Sequence, residues 1–186
     1  MKRTAKVLRA FLCCALLAGG AGWPRAAAGQ RPDARAESVP RGTPADVKGL
    51  RRVALLVSRA RVVDARAPAL VALEDYRRAL EGDPPRQHDA AARRVADRLN
   101  KYIRKYRTST AVESLGEADL VLVYKVTGER RSAIPDDPFV WGKLFVIALD
   151  GRRAPRVVWE SEGDDANPED ATGDFIKALR NARGEK

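Results

Sequence analysis

Cysteine is nearly absent from this 186-residue chain: Cys13 and Cys14 are the only two, adjacent and close to the N-terminus. Beyond them, no disulfide framework, thiolate nucleophile or cysteine metal centre can be built. Histidine occurs once, at His88. A histidine-based metal centre needs more ligands of that kind, and any Ser-His-Asp triad would have to run through this residue. Beside Gln87 and Asp89, His88 reads as a helix-start or surface side chain. The apolar stretch at residues 10–22 is too short to cross a bilayer as a stable helix. No internal repeat is visible.

What is present begins with residues 1–28, which read as an export signal. Lys2, Arg3, Lys6 and Arg9 form a positive n-region ahead of the apolar stretch. Ala26, Ala27 and Ala28 supply the small residues that a signal peptidase needs, with cleavage expected after Ala28. Both cysteines then lie in the discarded segment. Lipid attachment to Cys13 is not expected, because Leu12, not a small residue, stands before it. The expected setting is periplasmic or secreted, without membrane anchoring after cleavage.

Cleavage also changes the charge balance. The chain has 35 Lys+Arg and 25 Asp+Glu; five of the cations (Lys2, Arg3, Lys6, Arg9, Arg25) precede the cleavage site and no acid does. Thirty against twenty-five remain, a mild excess that weakens any inference of nucleic-acid binding from the high pI.

Residues 29–46 are rich in Arg, Pro, Ala and Gly without apolar periodicity, and read as a disordered leader. A globular domain is expected over 47–184. Residues 52–57 form a continuous apolar run, as in a strand buried on both faces. Residues 68–80 read as a helix with Pro68 in its first turn. From Asp89 to Tyr106 one apolar stripe (Ala92, Val95, Leu99, Tyr102, Tyr106) opposes a cationic face, with Asp89 as N-cap. A short edge strand is expected at 111–115, then strands at 120–126, 139–149 and 156–160, the last two as a hairpin. Asn167 and Pro168 suit the cap and first turn of a closing helix. The fold class is α/β: a two- to three-layer sandwich, with a mixed, mostly antiparallel sheet of four or five strands and two or three helices. Two strands are apolar on both faces, so either the 68–80 helix or a partner must cover the second face.

From Arg52 to Ala182 the pattern resembles a loose group of small bacterial envelope proteins, periplasmic or lipoprotein-like and functionally uncharacterised. The residues that carry the likeness are the strand Arg52-Val53-Ala54-Leu55-Leu56-Val57, the phrase Glu117-Ala118-Asp119-Leu120-Val121-Leu122, the segment from Gly142 to Asp150, and Val157-Val158-Trp159-Glu160 before the closing helix. In fold, the group is similar to the curli secretion lipoprotein and the N-terminal domain of the Tol-Pal translocation protein. The resemblance implies an α/β fold and an envelope setting, and brings no catalytic residues with it.

Three clusters remain as candidate sites. Asp164, Asp165, Glu169 and Asp170 around Asn167 are carboxylates that can bind calcium or serve as an acid–base pair. Their spacing does not match an EF-hand loop, and a solvated loop with acids at a helix start accounts for them. Asp136-Asp137-Pro138 reads as a turn. Arg93, Arg94, Arg98, Lys101, Arg104 and Lys105 can contact polyanions such as lipid headgroups or nucleic acid. No aromatic residues interleave with them to stack bases, and a solvated helix face is the default. Trp141 and Trp159 read as core or sheet-surface aromatics. The expectation is a non-enzymatic exported domain that binds or assembles a cell-envelope partner, with no cofactor and no nucleic acid. The alternative is a hydrolase or cation-binding protein that uses the 164–170 loop.

Overall fold

The computed structural model describes residues 39–59, 68–82, 90–132, 138–151 and 153–185. The proposed signal, Cys13, Cys14, His88, Asp89, Asp136 and Asp137 lie outside the described residues.

The central strands set the architecture. We label the strands β1 (Arg52–Arg59), β2 (Thr110–Ala111), β3 (Leu120–Arg130), β4 (Phe139–Ala148) and β5 (Arg156–Glu160). The helices are α1 (Pro68–Leu80), α2 (Ala90–Tyr106) and α3 (Pro168–Arg183). Short 3-10 turns occupy Pro44–Val47 and Leu115–Glu117. Side chains alternate across a strand, so β3 sends Leu120, Leu122 and Tyr124 to one face and Val121 and Val123 to the other. β4 does the same, with Leu144 and Val146 opposed to Phe145 and Ile147. All of these are fully buried. Burying each such side chain contributes about 1.5–3 kcal/mol.

Two helical layers make this double burial possible. On one face α2 and α3 contribute Val95, Leu99, Tyr102, Phe175 and Leu179. On the other, α1 contributes Ala69, Ala72, Leu73 and Tyr76. The result is a three-layer α/β/α sandwich. The apolar character of β3 and β4 on both sides is satisfied within the chain, and α1 is the cover.

The strand order is β2-β1-β3-β4-β5. β1 runs parallel to β2 and β3, while β3–β4 and β4–β5 are antiparallel. A parallel pair needs a long crossover, here the stretch of chain that carries α1 and α2. Asp119 fixes the register of the parallel pair. Its carboxylate accepts the backbone N–H of Arg51 and Arg52 (3.0 and 2.9 Å) and the Arg52 guanidinium (2.7 Å). The Arg52 guanidinium, with those two amides, holds the Asp119 carboxyl down to about 2 against an ordinary 3.8.

At the other end of the chain, α3 is closed by local chemistry. Asn167 accepts the Asp170 amide at 2.8 Å, Pro168 opens the first turn, and Gly184 ends the helix at φ 69°. That left-handed conformation suits glycine.

Three boundaries differ from the sequence reading. The strand expected over 120–126 runs on to Arg130, still paired with β4. The strand expected over 111–115 is reduced to Thr110–Ala111: after Val112 donates to the Val53 carbonyl, the chain curls into the 115–117 turn. The expected disorder of the leader does not extend through residues 39–46. Gly42 donates to the Val157 carbonyl and Val157 donates to the Pro40 carbonyl, so residues 40–42 lie along the outer edge of β5. Gly42 is required there, because an added Cβ would stand 2.8 Å from Val158 Cγ1 and 2.6 Å from Asp46 Oδ2.

Candidate functional site

The open edge of β1 is where the fold leaves room. Backbone groups of alternate residues in a parallel ladder point to alternate sides. The Arg52 carbonyl accepts from Asp119, on the β3 side, and the Val53 carbonyl accepts from Val112, on the β2 side. The backbone groups of Val53, Leu55 and Val57 therefore point to the edge, while the side chains of Val53 and Val57 are buried in the core. β2 pairs only with Arg52 and Val53. Among the described residues, nothing pairs with Leu55 or Val57 on that side.

A groove of about 580 Å³ runs along this edge. Its base is Leu55 and Val57. Ala79 and Leu80 of α1 wall one side, and Ala92, Ala96 and Leu99 of α2 the other. Residues 111–116 close one end. The lining is mostly apolar, with Arg93 and Glu113 as charged members. Leu80 is 47% exposed, one of two large apolar side chains left open to solvent among the described residues. An unpaired strand edge between two apolar walls is a template for a further strand, with backbone hydrogen bonds giving affinity and side-chain pockets giving selectivity.

A second cluster sits under α1. Lys125, 4% exposed, places its ammonium 2.9 Å from Asp75 Oδ2, and Ser58 donates to the same oxygen at 2.7 Å. Ser58, Lys125 and Lys143 stand side by side in the ladder. Here charges are paired inside a low-dielectric layer, and removing one partner costs about 3–5 kcal/mol. A lysine inside an otherwise apolar strand is the signal in the sequence that points to this cluster. Ser58 and Lys125 donate to the same Asp75 oxygen, so the three side chains form one ion-paired network.

The carboxylates of the 164–170 loop do not converge. Asp164 pairs with Lys143 Nζ at 3.1 Å and its carbonyl accepts from Thr127 at 2.7 Å. Asp165, Glu169 and Asp170 are exposed, the last two in the first turn of α3. The loop is fastened to the sheet through the bond from the Gly142 amide to the Ala166 carbonyl and through the Tyr124 hydroxyl, which donates to the same carbonyl at 2.7 Å. Among the described residues, no group of three His, Cys, Asp or Glu could hold a metal ion.

The remaining candidates are distributed. Trp141 is half-buried over Gly128, where a Cβ would meet the indole at 2.5 Å. Trp159 packs on Phe175, ring centroids 5.5 Å apart. The cationic residues of α2 face away from the sheet: Arg93, Arg98, Lys101, Arg104 and Lys105 are exposed and Arg94 is half-buried. No helix among the described residues is long and apolar enough to cross a membrane.

The class defined by these features is a three-layer α/β/α domain whose sheet, among the described residues, is left unpaired along part of β1. No family model matches the chain, and no curated protein matches it. Solved structures similar to it include the following two. One is the PelC dodecamer from Paraburkholderia phytofirmans, with 14% identity and a TM-score of 0.31, covering 78% of this chain and 92% of the other. The second is the hypothetical protein CT253 from Chlamydia trachomatis, at 14% identity and a TM-score of 0.22, covering 73% and 96%.

Proposed function

We infer that this domain is a non-enzymatic binding module of the bacterial cell envelope, exported through residues 1–28, that takes an extended apolar segment of an envelope protein into the groove beside β1. The observation that carries the reading is the backbone of Leu55 and Val57, which no strand among the described residues pairs on the outer side, flanked by apolar walls from α1 and α2. Strand addition satisfies the backbone groups of that edge and buries Leu80 and Leu55 together. The export signal, and the resemblance over residues 52–182 to small envelope proteins, supply the compartment and hence the class of partner.

The test is site-specific photo-crosslinking. A photoreactive phenylalanine analogue is placed at position 80, or at Arg153 as a control, in the full chain expressed in its own cells. The reading expects cross-links from position 80 to one envelope protein, mapped by mass spectrometry to an extended segment, and few from position 153. Equal labelling from both positions, or cross-links only to cytoplasmic proteins, would refute it. Edman sequencing of the exported product reads the compartment separately, with Gly29 as the expected new N-terminus.

A further inference from the structure

The net charge of the domain is concentrated on one helix. Residues 29–186 hold thirty Lys+Arg against twenty-five Asp+Glu. α2 alone, over 17 residues, carries Arg93, Arg94, Arg98, Lys101, Arg104 and Lys105 against the single acid Asp97. The rest of the segment is balanced at twenty-four of each. The whole excess of five thus lies on a rod about 25 Å long, at about 1.5 Å per residue.

The packing of α2 decides what such a rod can meet. Its apolar stripe is spent: Val95, Leu99 and Tyr102 are 0–4% exposed in the core. The helix cannot roll over to insert an apolar face into a bilayer. Its cations are left on the outer layer. Arg98, Lys101 and Lys105 follow i, i+3, i+7 spacing, with Arg104 beside them, so they share one side. The neighbouring α3 exposes three acids, Glu169, Asp170 and Asp174, against the cation Lys177, which reduces the excess on this layer but leaves it positive. Tyr106, the aromatic nearest the row, is half-buried and lies under Lys105 and Arg180, each 5.0 Å from its ring centre. Two cations of this chain already stand over its ring, which disfavours it as a stacking platform for single-stranded nucleic acids.

We propose that the outer face of α2 is a peripheral docking surface for an anionic phospholipid bilayer. A straight row of cations on a helix lying flat fits a plane of headgroup phosphates, and each Lys or Arg near such a surface adds favourable electrostatic energy that salt screens. The surface is independent of the β1 groove. It would hold the domain against a membrane with the groove to one side, without a lipid anchor.

Vesicle co-sedimentation of the full chain tests this. The probes are vesicles of phosphatidylglycerol with phosphatidylcholine, and vesicles of phosphatidylcholine alone. One variant combines Arg98→Gln, Lys101→Gln, Arg104→Gln and Lys105→Gln; a charge-matched control combines Lys48→Gln, Arg77→Gln, Arg131→Gln and Arg153→Gln. The α2 variant is expected to lose affinity for the anionic vesicles on the order of a hundredfold at low salt, with binding to neutral vesicles unchanged. The control is expected to stay within about threefold of the parent, since its charges lie off the α2 row. Equal losses in both variants would show that only net charge matters and would overturn the proposal. So would an α2 variant that binds like the parent. Tighter binding of a single-stranded oligonucleotide than of anionic vesicles, lost with the α2 charges, would assign the face to nucleic acid instead. Thermal melting shows whether each variant is folded, and Leu80→Lys should leave vesicle binding intact, which separates this surface from the groove.

Discussion

The two edges of the sheet are finished in opposite ways. The β5 edge is closed by the chain itself: residues 40–42 exchange two backbone bonds with Val157. Behind them Arg156, 6% exposed, reaches Asp150 at 2.8 Å and Asp46 at 3.6 Å. Asp46 in turn accepts the Thr43 amide, which with Arg156 holds its carboxyl below the usual range. Among the described residues, the β1 edge has two residues of β2 and then a groove. A free strand edge invites pairing, and proteins that stay monomeric cover or charge theirs. Here one edge is covered at the cost of ordering a leader, while the other keeps an apolar opening. On the function proposed above, the difference assigns binding to β1 and stability to β5.

The first way to break the contrast is Arg156→Ala. It removes a buried cation and leaves the Asp46 and Asp150 carboxylates facing one another across the vacated site. The expected loss is about 3 kcal/mol, read as a lower urea midpoint with the slope unchanged. A loss below about 1 kcal/mol would mean that the β5 edge is held by backbone pairing alone. Next comes Gly42→Val. Its side chain has to displace Val158 or Asp46, so about 2 kcal/mol is expected. Hydrogen exchange should quicken at the Val157 amide while the amides of β3 stay protected.

Much of this architecture was legible beforehand. Helix α1 begins and ends where Pro68 and Leu80 suggest, and β5 spans the expected residues 156–160. Asn167-Pro168 at the start of α3 can be read because capping is local: a side chain, an amide and three residues. The edge defences could not be read. The leader looks disordered by composition, and only the meeting of Pro40 and Gly42 with Val157, more than a hundred residues away, gives its backbone partners. The groove escaped for the same reason. Continuous apolar runs announced burial on both faces, but periodicity says nothing about which strand ends the sheet. Lys125 is a charge in a hydrophobic strand, yet its partner Asp75 is on α1, and that pairing depends on which face α1 covers.

Asp119→Asn sharpens the comparison near the β1 edge, where the register of the parallel pair is set. A carboxyl lowered in the fold stabilises above its ordinary pKa of 3.8, and the contribution drains away as pH falls through its folded value of about 2. The parent should therefore lose stability between about pH 4 and pH 2, by about 1–2 kcal/mol once the exposure of Arg52 is allowed for. The Asn variant should start lower by that amount at neutral pH and show a flatter profile in this window. Parallel profiles for the two proteins would mean that the backbone bonds, and not the charge, do the anchoring.

The smallest effect on stability belongs to Leu80→Lys. Leu80 is already 47% exposed at the end of α1, so lysine there should change the unfolding free energy by less than about 0.5 kcal/mol. Its effect on the groove is of another kind. A lysine beside an open edge is a natural guard against strand addition. Photo-crosslinking, now from a probe at Ala96 on the opposite wall, should fall by at least tenfold while the melting temperature stays put. The contrast lies in what is lost: at β5, Arg156→Ala and Gly42→Val are expected to cost stability, whereas in the wall of the β1 groove Leu80→Lys is expected to cost binding and little else. A Leu80→Lys protein that melts several degrees lower, with its cross-links retained, would reverse that assignment and make the groove wall a structural seam.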